Sequence, residues 1–255
     1  MKNKVSKENY DFVVEFRNAV RKCKSFKSKY ADIEEIRKQL LVSEQIIEVT
    51  DFGQGSGKFK RKIGDAPLLY NRKVKEIASK ALKSPNECYL IAGIIEYLKP
   101  ESILELGTSL GISTSYISRA NPASKIISVE GCHQTAAIAE KNIIKTNSLN
   151  VKILVSKFED AIDNLMKNNS FSMAIIDGNH AYEPVMNYFD SISQQMRKNG
   201  VIIIDDIRWS AGMRKAWMEI QKRPEVTLSV DFFQIGIVFF NKAFVKEHLM
   251  MKFNF

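Results

Sequence analysis

Apolar residues recur along this chain in two rhythms, and the rhythm changes near residue 84. Before that point Phe12, Val13, Phe16 and Val20, then Ile33, Ile36, Leu40 and Leu41, fall three and four residues apart. That spacing lines one face of a helix and predicts two helices within residues 7–48. The glycine-rich, basic stretch 51–66 breaks the pattern and reads as a loop. Helical patterns follow at about 70–82 and 85–98, the second with Pro85 in its first turn, where the missing N–H has no partner to lose. From residue 102 onward, apolar runs of five or six residues alternate with helical patterns: 102–106, 125–129, 151–155, 172–177 and 200–205. Such short, mostly apolar runs read as strands, and their alternation with helices predicts a doubly wound parallel sheet. Two further runs, 225–231 and 234–240, are separated only by Phe232 and Phe233. No crossover helix fits in two residues, so these strands pair antiparallel. Residues 242–252 read as a terminal helix. The expected division is an N-terminal helical or lid segment, 1–83, and an α/β domain, 84–255.

Composition narrows the class. The chain has 255 residues, of which 45% are hydrophobic and 26% charged, enough for one large α/β domain and an accessory segment. No run approaches the roughly eighteen apolar residues of a membrane helix, and the charged start lacks the apolar core of a secretory signal. Cys23, Cys88 and Cys132 are odd in number and have no CxxC spacing, which fits a cytoplasmic protein better than a disulfide framework or a zinc site. The net charge of +9 is concentrated in 21–29 and 58–62, without the interleaved aromatics of a single-strand nucleic-acid platform. A solvated basic face is the first reading, an anionic small-molecule acceptor the second and RNA the third. The N-terminal helices also offer a face on which two copies could form a homodimer.

Candidate chemistry begins at Glu105-Leu-Gly107-Thr108-Ser109-Leu-Gly111, between the first apolar run and a helical pattern. Glycines in a strand-to-helix turn let the backbone approach a ligand and aim the helix N-terminus at it. The next apolar run ends in Glu130, where a carboxylate can accept hydrogen bonds from both ribose hydroxyls of a nucleoside. A dinucleotide fingerprint needs three glycines over six positions, and only Gly107 and Gly111 are present. A carboxylate at Glu105 suits an amino-acid moiety better than a pyrophosphate. Over about residues 84–241 these segments resemble the class I S-adenosylmethionine-dependent methyltransferases, whose first motif reads E-x-G-x-x-x-G. The resemblance implies a Rossmann-like seven-stranded sheet of order 3-2-1-4-5-7-6, its last strand antiparallel. It also implies S-adenosylmethionine held by Glu105, Gly107, Thr108, Ser109, Gly111 and Glu130, with Phe158 beside the adenine. Phe158 reads equally well as core.

The fourth and fifth apolar runs end in acid: Ile176 leads into Asp177, and Ile204 into Asp205 and Asp206. Like charges at one sheet edge require a cation or a proton between them, and oxygen-only ligands suit Mg²⁺. These positions resemble the catechol-type, metal-dependent O-methyltransferases, in which the corresponding carboxylates hold the metal. The resemblance implies metal ligation by Asp177, Asp205 and Asp206, and Asp177 near the cofactor. That family often has a lysine as base three residues after the first aspartate; here the position holds His180. Imidazole titrates near neutral pH and can take a hydroxyl proton, with a metal or without one. Capping of the following turns is the competing role for all three aspartates. Arg208 and Trp209 follow the fifth strand, Trp209 as an acceptor-pocket candidate or packed under the strand-five loop, and Arg208 as an exposed residue or a carboxylate binder. Trp217 fits a core stripe, His133 a helix cap or a cofactor-edge position, and His248 the surface of the terminal helix. Asp51-Phe52-Gly53 and Gly53–Lys58 imitate kinase and phosphate-loop motifs without the required context.

Three classes stay open at this level. The first is an S-adenosylmethionine-dependent methyltransferase acting on a hydroxyl oxygen of a small molecule. The second keeps the cofactor with RNA as acceptor. The third is an NAD-dependent oxidoreductase or a non-catalytic nucleotide-binding protein.

Overall fold

In the computed structural model, which describes residues 5–53 and 66–253, the early helical spacing becomes α1 (Tyr10–Lys22) and α2 (Ala31–Leu41), joined by a 3-10 segment, Cys23–Tyr30. The buried positions of α1 are Val13, Phe16 and Val20, and those of α2 include Ile33, Ile36 and Leu40. Two strands then appear where a loop and a helix start were expected. β1 (Ile46–Asp51) and β2 (Leu68–Lys73) pair antiparallel, Ile46 opposite Lys73 and Asp51 opposite Leu68. Within this pair only Ile47 is buried, so no alternation of apolar and polar residues announces it. The helix expected over 70–82 is correspondingly shorter, α3 (Val74–Ala81), because residues 70–73 complete β2. Residues 54–65 of the glycine-rich loop lie outside the described residues. α4 (Pro85–Leu98) starts at Pro85 as its sequence suggests, and Ser84 and Glu87 close a reciprocal capping box in front of it.

The apolar runs form a single sheet. β3 (Ser102–Leu106), β4 (Lys125–Glu130), β5 (Val151–Val155), β6 (Met173–Ile176) and β7 (Val201–Ile204) are all parallel. α5 (Ile112–Ala120), α6 (His133–Lys145), α7 (Phe158–Asn168) and α8 (Tyr182–Ser193) connect them, and α9 (Ala211–Lys222) leads to the hairpin of β8 (Leu228–Asp231) and β9 (Gly236–Phe239). The spatial order β8-β9-β7-β6-β3-β4-β5, with β9 antiparallel to both neighbours, is the expected seven-stranded arrangement. An eighth strand, β10 (Glu247–Met250), replaces the expected terminal helix and runs parallel beside β8. Leu249, Met251 and Phe253 are buried at every second position, a strand period, and the Glu247 and Met251 amides donate to the free edge of β8.

Alternate residues of the sheet enter two apolar layers. Ile103, Met173, Val201 and Leu228 share one layer with α1, α2, α4 and α5; Leu104, Ala174 and Ile202 share the other with residues of α7, α8 and α9. Segment 1–83 is thus built into the same core as the sheet. No described helix is long and apolar enough to cross a membrane.

The carboxyl edge of the sheet is locked by a continuing ladder. The Gly107 amide donates to Val129, Asp177 to Leu106 and Asp205 to Ile176, each at 2.9–3.0 Å. Gly107 has φ +105°, and a Cβ there would lie 1.9 Å from the Asp177 carbonyl oxygen. Only glycine permits that approach. Beneath the turn, Glu105 is 1% exposed and accepts hydrogen bonds from Thr114 Oγ1 (2.7 Å) and Ser128 Oγ (2.6 Å). Burial pushes its carboxyl up to about 7. Two outcomes follow. Gly107→Ala should cost about 2–4 kcal/mol in denaturant unfolding, because both the backbone angle and the contact are violated. Glu105 contributes stability in full below its ordinary value of 4.5 and loses it as pH rises through about 7. Melting temperature measured from pH 4.5 to 7.5 should therefore fall less steeply in Glu105→Gln than in the parent protein.

Candidate active site

The turn after β3 and the end of β4 make the first half of the site. Ser109 lies in left-handed backbone, φ 48°, and its amide donates to Glu130 Oε2 at 2.8 Å. The Cys132 amide donates to Glu130 Oε1 at 2.9 Å, so two backbone groups hold this carboxylate. Burial raises the Glu130 carboxyl above its ordinary range. Gly107, Ser109 and Glu130 keep part of their surface open, whereas Glu105, Thr108 and Gly111 lie beneath the turn. Thr108 Oγ1 shares a 2.6 Å hydrogen bond with Ser128 Oγ, which links the turn to Glu105. Gly111 allows α6 to approach closely: a Cβ would meet Ala139 Cα at 3.1 Å.

Two aromatic rings flank this half. Phe158, at the start of α7, is partly buried, meets Tyr188 edge-on and covers Gly178. Phe52, just past β1, covers Gly131 in the same way, and the Lys157 ammonium stands 5.5 Å from its ring centre. The hairpin is fastened there by the Glu48 amide on Gln134 Oε1 (2.9 Å) and the Thr50 amide on Cys132 Sγ (3.4 Å). In the sequence Phe52 sits in an Asp-Phe-Gly setting that resembles only a misleading motif, so its place at Gly131 emerges only from the fold.

The ends of β6 and β7 make the second half. Asp177, His180 and Asp205 each place a nitrogen or oxygen within 4.8 Å of the others'. His180 Nε2 lies 3.9 Å from Asp177 Oδ1 and 3.7 Å from Asp206 Oδ2. Asn179 and Asp206 adopt left-handed backbone, φ 48° and 53°. With Ser109 they put three such non-glycine residues on one sheet edge, and strain of this kind gathers where a site needs it. For Asp206 that backbone shows that β7 has already ended, so Asp205 and Asp206 are freed from strict alternation.

A residue with no part in the sequence-based site occupies the centre. Lys83 Nζ lies 2.9 Å from Asp177 Oδ2 and in direct contact with Asp205 Oδ2. Its side chain is 8% exposed. Burial opposes its charge, yet the two carboxylates hold its pKa above the ordinary lysine value, so it stays an ammonium. Burial raises Asp205 to about 6, against the pull of Lys83. Burial also raises Asp206. Asp205 Oδ1 is buried without a hydrogen-bond partner among the described residues. Lys83 is itself pinned: Arg37 Nη1 donates to its carbonyl at 2.5 Å, Glu34 holds Arg37 Nε, and Tyr116 holds Glu34. The set Asp177, Asp205 and Asp206 therefore does not fit a divalent ion as it stands, because an ammonium already takes one oxygen of each of the first two.

The remaining candidates lie outside this cluster. Arg208 makes a bidentate pair with Asp231 (2.7 Å to each oxygen) and leans over Phe233, while Trp209 is 71% exposed. Trp217 packs in the core over Gly236, and His133 opens α6. His248 is on β10, its Nδ1 2.9 Å from Ser229 Oγ.

Similarity to known proteins falls on these same elements. Residues 104–207 match a family profile described as a methyltransferase domain. A catechol O-methyltransferase from Niastella koreensis is 29% identical over 148 residues, which cover 56% of this chain and just under two thirds, 66%, of that protein. The structure of a Bacillus cereus O-methyltransferase in complex with S-adenosylhomocysteine superposes with a TM-score of 0.55 at 22% identity, covering 63% of this chain and 83% of that one. TomG from Streptomyces achromogenes, an O-methyltransferase of tomaymycin synthesis in complex with S-adenosylmethionine, gives 0.56 at 18% identity over 63% and 82%. The sheet order, the turn after β3 and these matches agree on a Rossmann-like fold, in which residues 104–207 are similar to a methyltransferase domain.

Proposed function

We propose that this protein transfers a methyl group from S-adenosylmethionine to a hydroxyl oxygen of a small molecule, with His180 as the base. One observation carries the reading: the glycine turn, Glu130 and the Asp177–His180–Asp206 group lie at the carboxyl ends of adjacent strands, β4, β3, β6 and β7. Ligands of open α/β sheets bind at that edge. The Niastella, Bacillus and Streptomyces proteins carry O-methyltransferase names, and two are complexes with the cofactor or its product.

Each residue then has a task. Glu130, preorganised by two amides, accepts from the ribose hydroxyls. Gly107 and Ser109 bring backbone against the amino-acid portion, with Gly111 tightening the turn and Glu105 and Thr108 bracing it from below. Phe158 walls the adenine side, and Phe52 stands opposite at Gly131. His180 takes the acceptor's hydroxyl proton, and Asp177 and Asp206 orient the imidazole and stabilise the imidazolium that forms. Bound S-adenosylmethionine supplies the methyl group, whose bond to sulfur breaks with its electron pair left on sulfur as the acceptor oxygen bonds the carbon. The proton remains on His180 until it exchanges with water. The two buried free cysteines, Cys88 and Cys132, suit a reducing cytoplasm.

Binding and chemistry can be separated experimentally. Glu130→Ala should weaken S-adenosylhomocysteine binding about 10- to 100-fold in calorimetry, the loss expected when charge-assisted hydrogen bonds go; unchanged affinity would refute the ribose role. His180→Ala should lower kcat by roughly 10²–10⁴ with an acceptor found by screening hydroxyl compounds against labelled S-adenosylmethionine. Its affinity for S-adenosylhomocysteine should stay within about twofold, because the imidazole acts on the acceptor.

A further inference from the structure

The acidic edge already contains its cation. Asp177 and Asp205 end buried strands, where two carboxylates side by side need positive charge between them. Lys83 supplies it in contact with both, from a backbone held by Arg37 on one side and by the Ser84–Glu87 capping box on the other. A divalent ion at Asp177, His180 and Asp205 would have to share carboxylate oxygens with an ammonium a few ångströms away, and the two positive charges would repel at short range in a poorly solvated pocket. Lys83 commits two of its three protons to Asp177 and Asp205, which leaves one N–H without an acceptor among the described residues. Beside it, Asp205 Oδ1 is a buried acceptor without a donor among those residues. The oxygen of a hydroxyl group complements the free N–H. It accepts from the ammonium while neutral and gains more from it as negative charge grows on oxygen.

We propose that Lys83 takes the place of a divalent metal in this site, making it a built-in cation that binds the acceptor oxygen and favours its ionised form for metal-independent methyl transfer. This rests on the methyl-transfer reading above. In this scheme His180 carries the proton away, while Lys83 remains protonated throughout and loses no bond. The fixed charge also explains the path of the N-terminal segment: α2 lies against α5 and its Arg37 reaches the Lys83 carbonyl, so the first 83 residues deliver the cation to the sheet edge.

The test uses calorimetric titration of MnCl₂ into the full-length protein saturated with S-adenosylhomocysteine, in parallel for the parent, Lys83→Met and Lys83→Arg. The parent and Lys83→Arg should show no Mn²⁺ binding below millimolar concentration. Lys83→Met, which keeps the side-chain length and frees both carboxylates, should bind Mn²⁺ at least tenfold more tightly than the parent. Micromolar binding to the parent that disappears in Asp205→Asn would overturn the proposal, as would equally weak binding to the parent and to a folded Lys83→Met. If Lys83→Met fails to fold, the parent titration decides alone. Retained S-adenosylhomocysteine binding shows that each variant is intact, and its absence from the parent would count against the methyl-transfer reading instead.

Discussion

Charge neutralisation at the ends of two buried strands is the constraint around which this molecule is organised. Apolar runs that finish in aspartate place carboxylates where water is scarce, and an unpaired buried charge is among the costliest features a fold can carry. Asp205 shows the strain most plainly: its carboxyl is raised by burial even with an ammonium in contact, and one of its oxygens has no donor among the described residues. Removing the ammonium would leave two carboxylates uncompensated. The elements holding Lys83 therefore stabilise the same sheet edge that carries the candidate site.

That constraint gives the N-terminal segment its purpose. Its helices bury Phe16, Val20, Ile33 and Leu40 in the layer that also covers Ile103 and Met173. The contacts fix α2, and through Glu34, Arg37 and Tyr116 they fix the carbonyl of Lys83. The hairpin β1–β2 reaches the other end of the site and sets Phe52 against Gly131. Both halves of the site are thus completed from the first 83 residues, outside the segment that matches the methyltransferase profile.

How much of this could be read from the residue order depends on how local each signal is. The parallel strands were readable because each is a short, mostly apolar run alternating with a helical pattern, and the β8–β9 hairpin because two residues cannot house a helix. Glu130, Asp177, His180 and Asp205 were readable as candidates because strand ends in such sheets face ligands. The β1–β2 pair was not, since its only buried residue is Ile47. β10 looked helical because Phe244 and His248 satisfy a helical spacing as easily as Leu249, Met251 and Phe253 satisfy a strand's; the open edge of β8 decided between them. Lys83 carried no signal of its own. A lysine before a capped helix is ordinary, and only the folded chain brings it to carboxylates so distant in sequence. The roles of Glu105 and Thr108 likewise depend on depth: the motif names the turn, and burial places these two under it.

The most direct test is a crystal structure of the full-length protein grown with S-adenosylhomocysteine and MnCl₂, with diffraction recorded at the manganese edge. The expected structure has the nucleoside over the turn after β3, its ribose on Glu130, its sulfur facing His180, and Lys83 between Asp177 and Asp205 with no anomalous peak among them. A manganese peak at that position with Lys83 displaced, or a nucleoside bound away from Glu130, would contradict it.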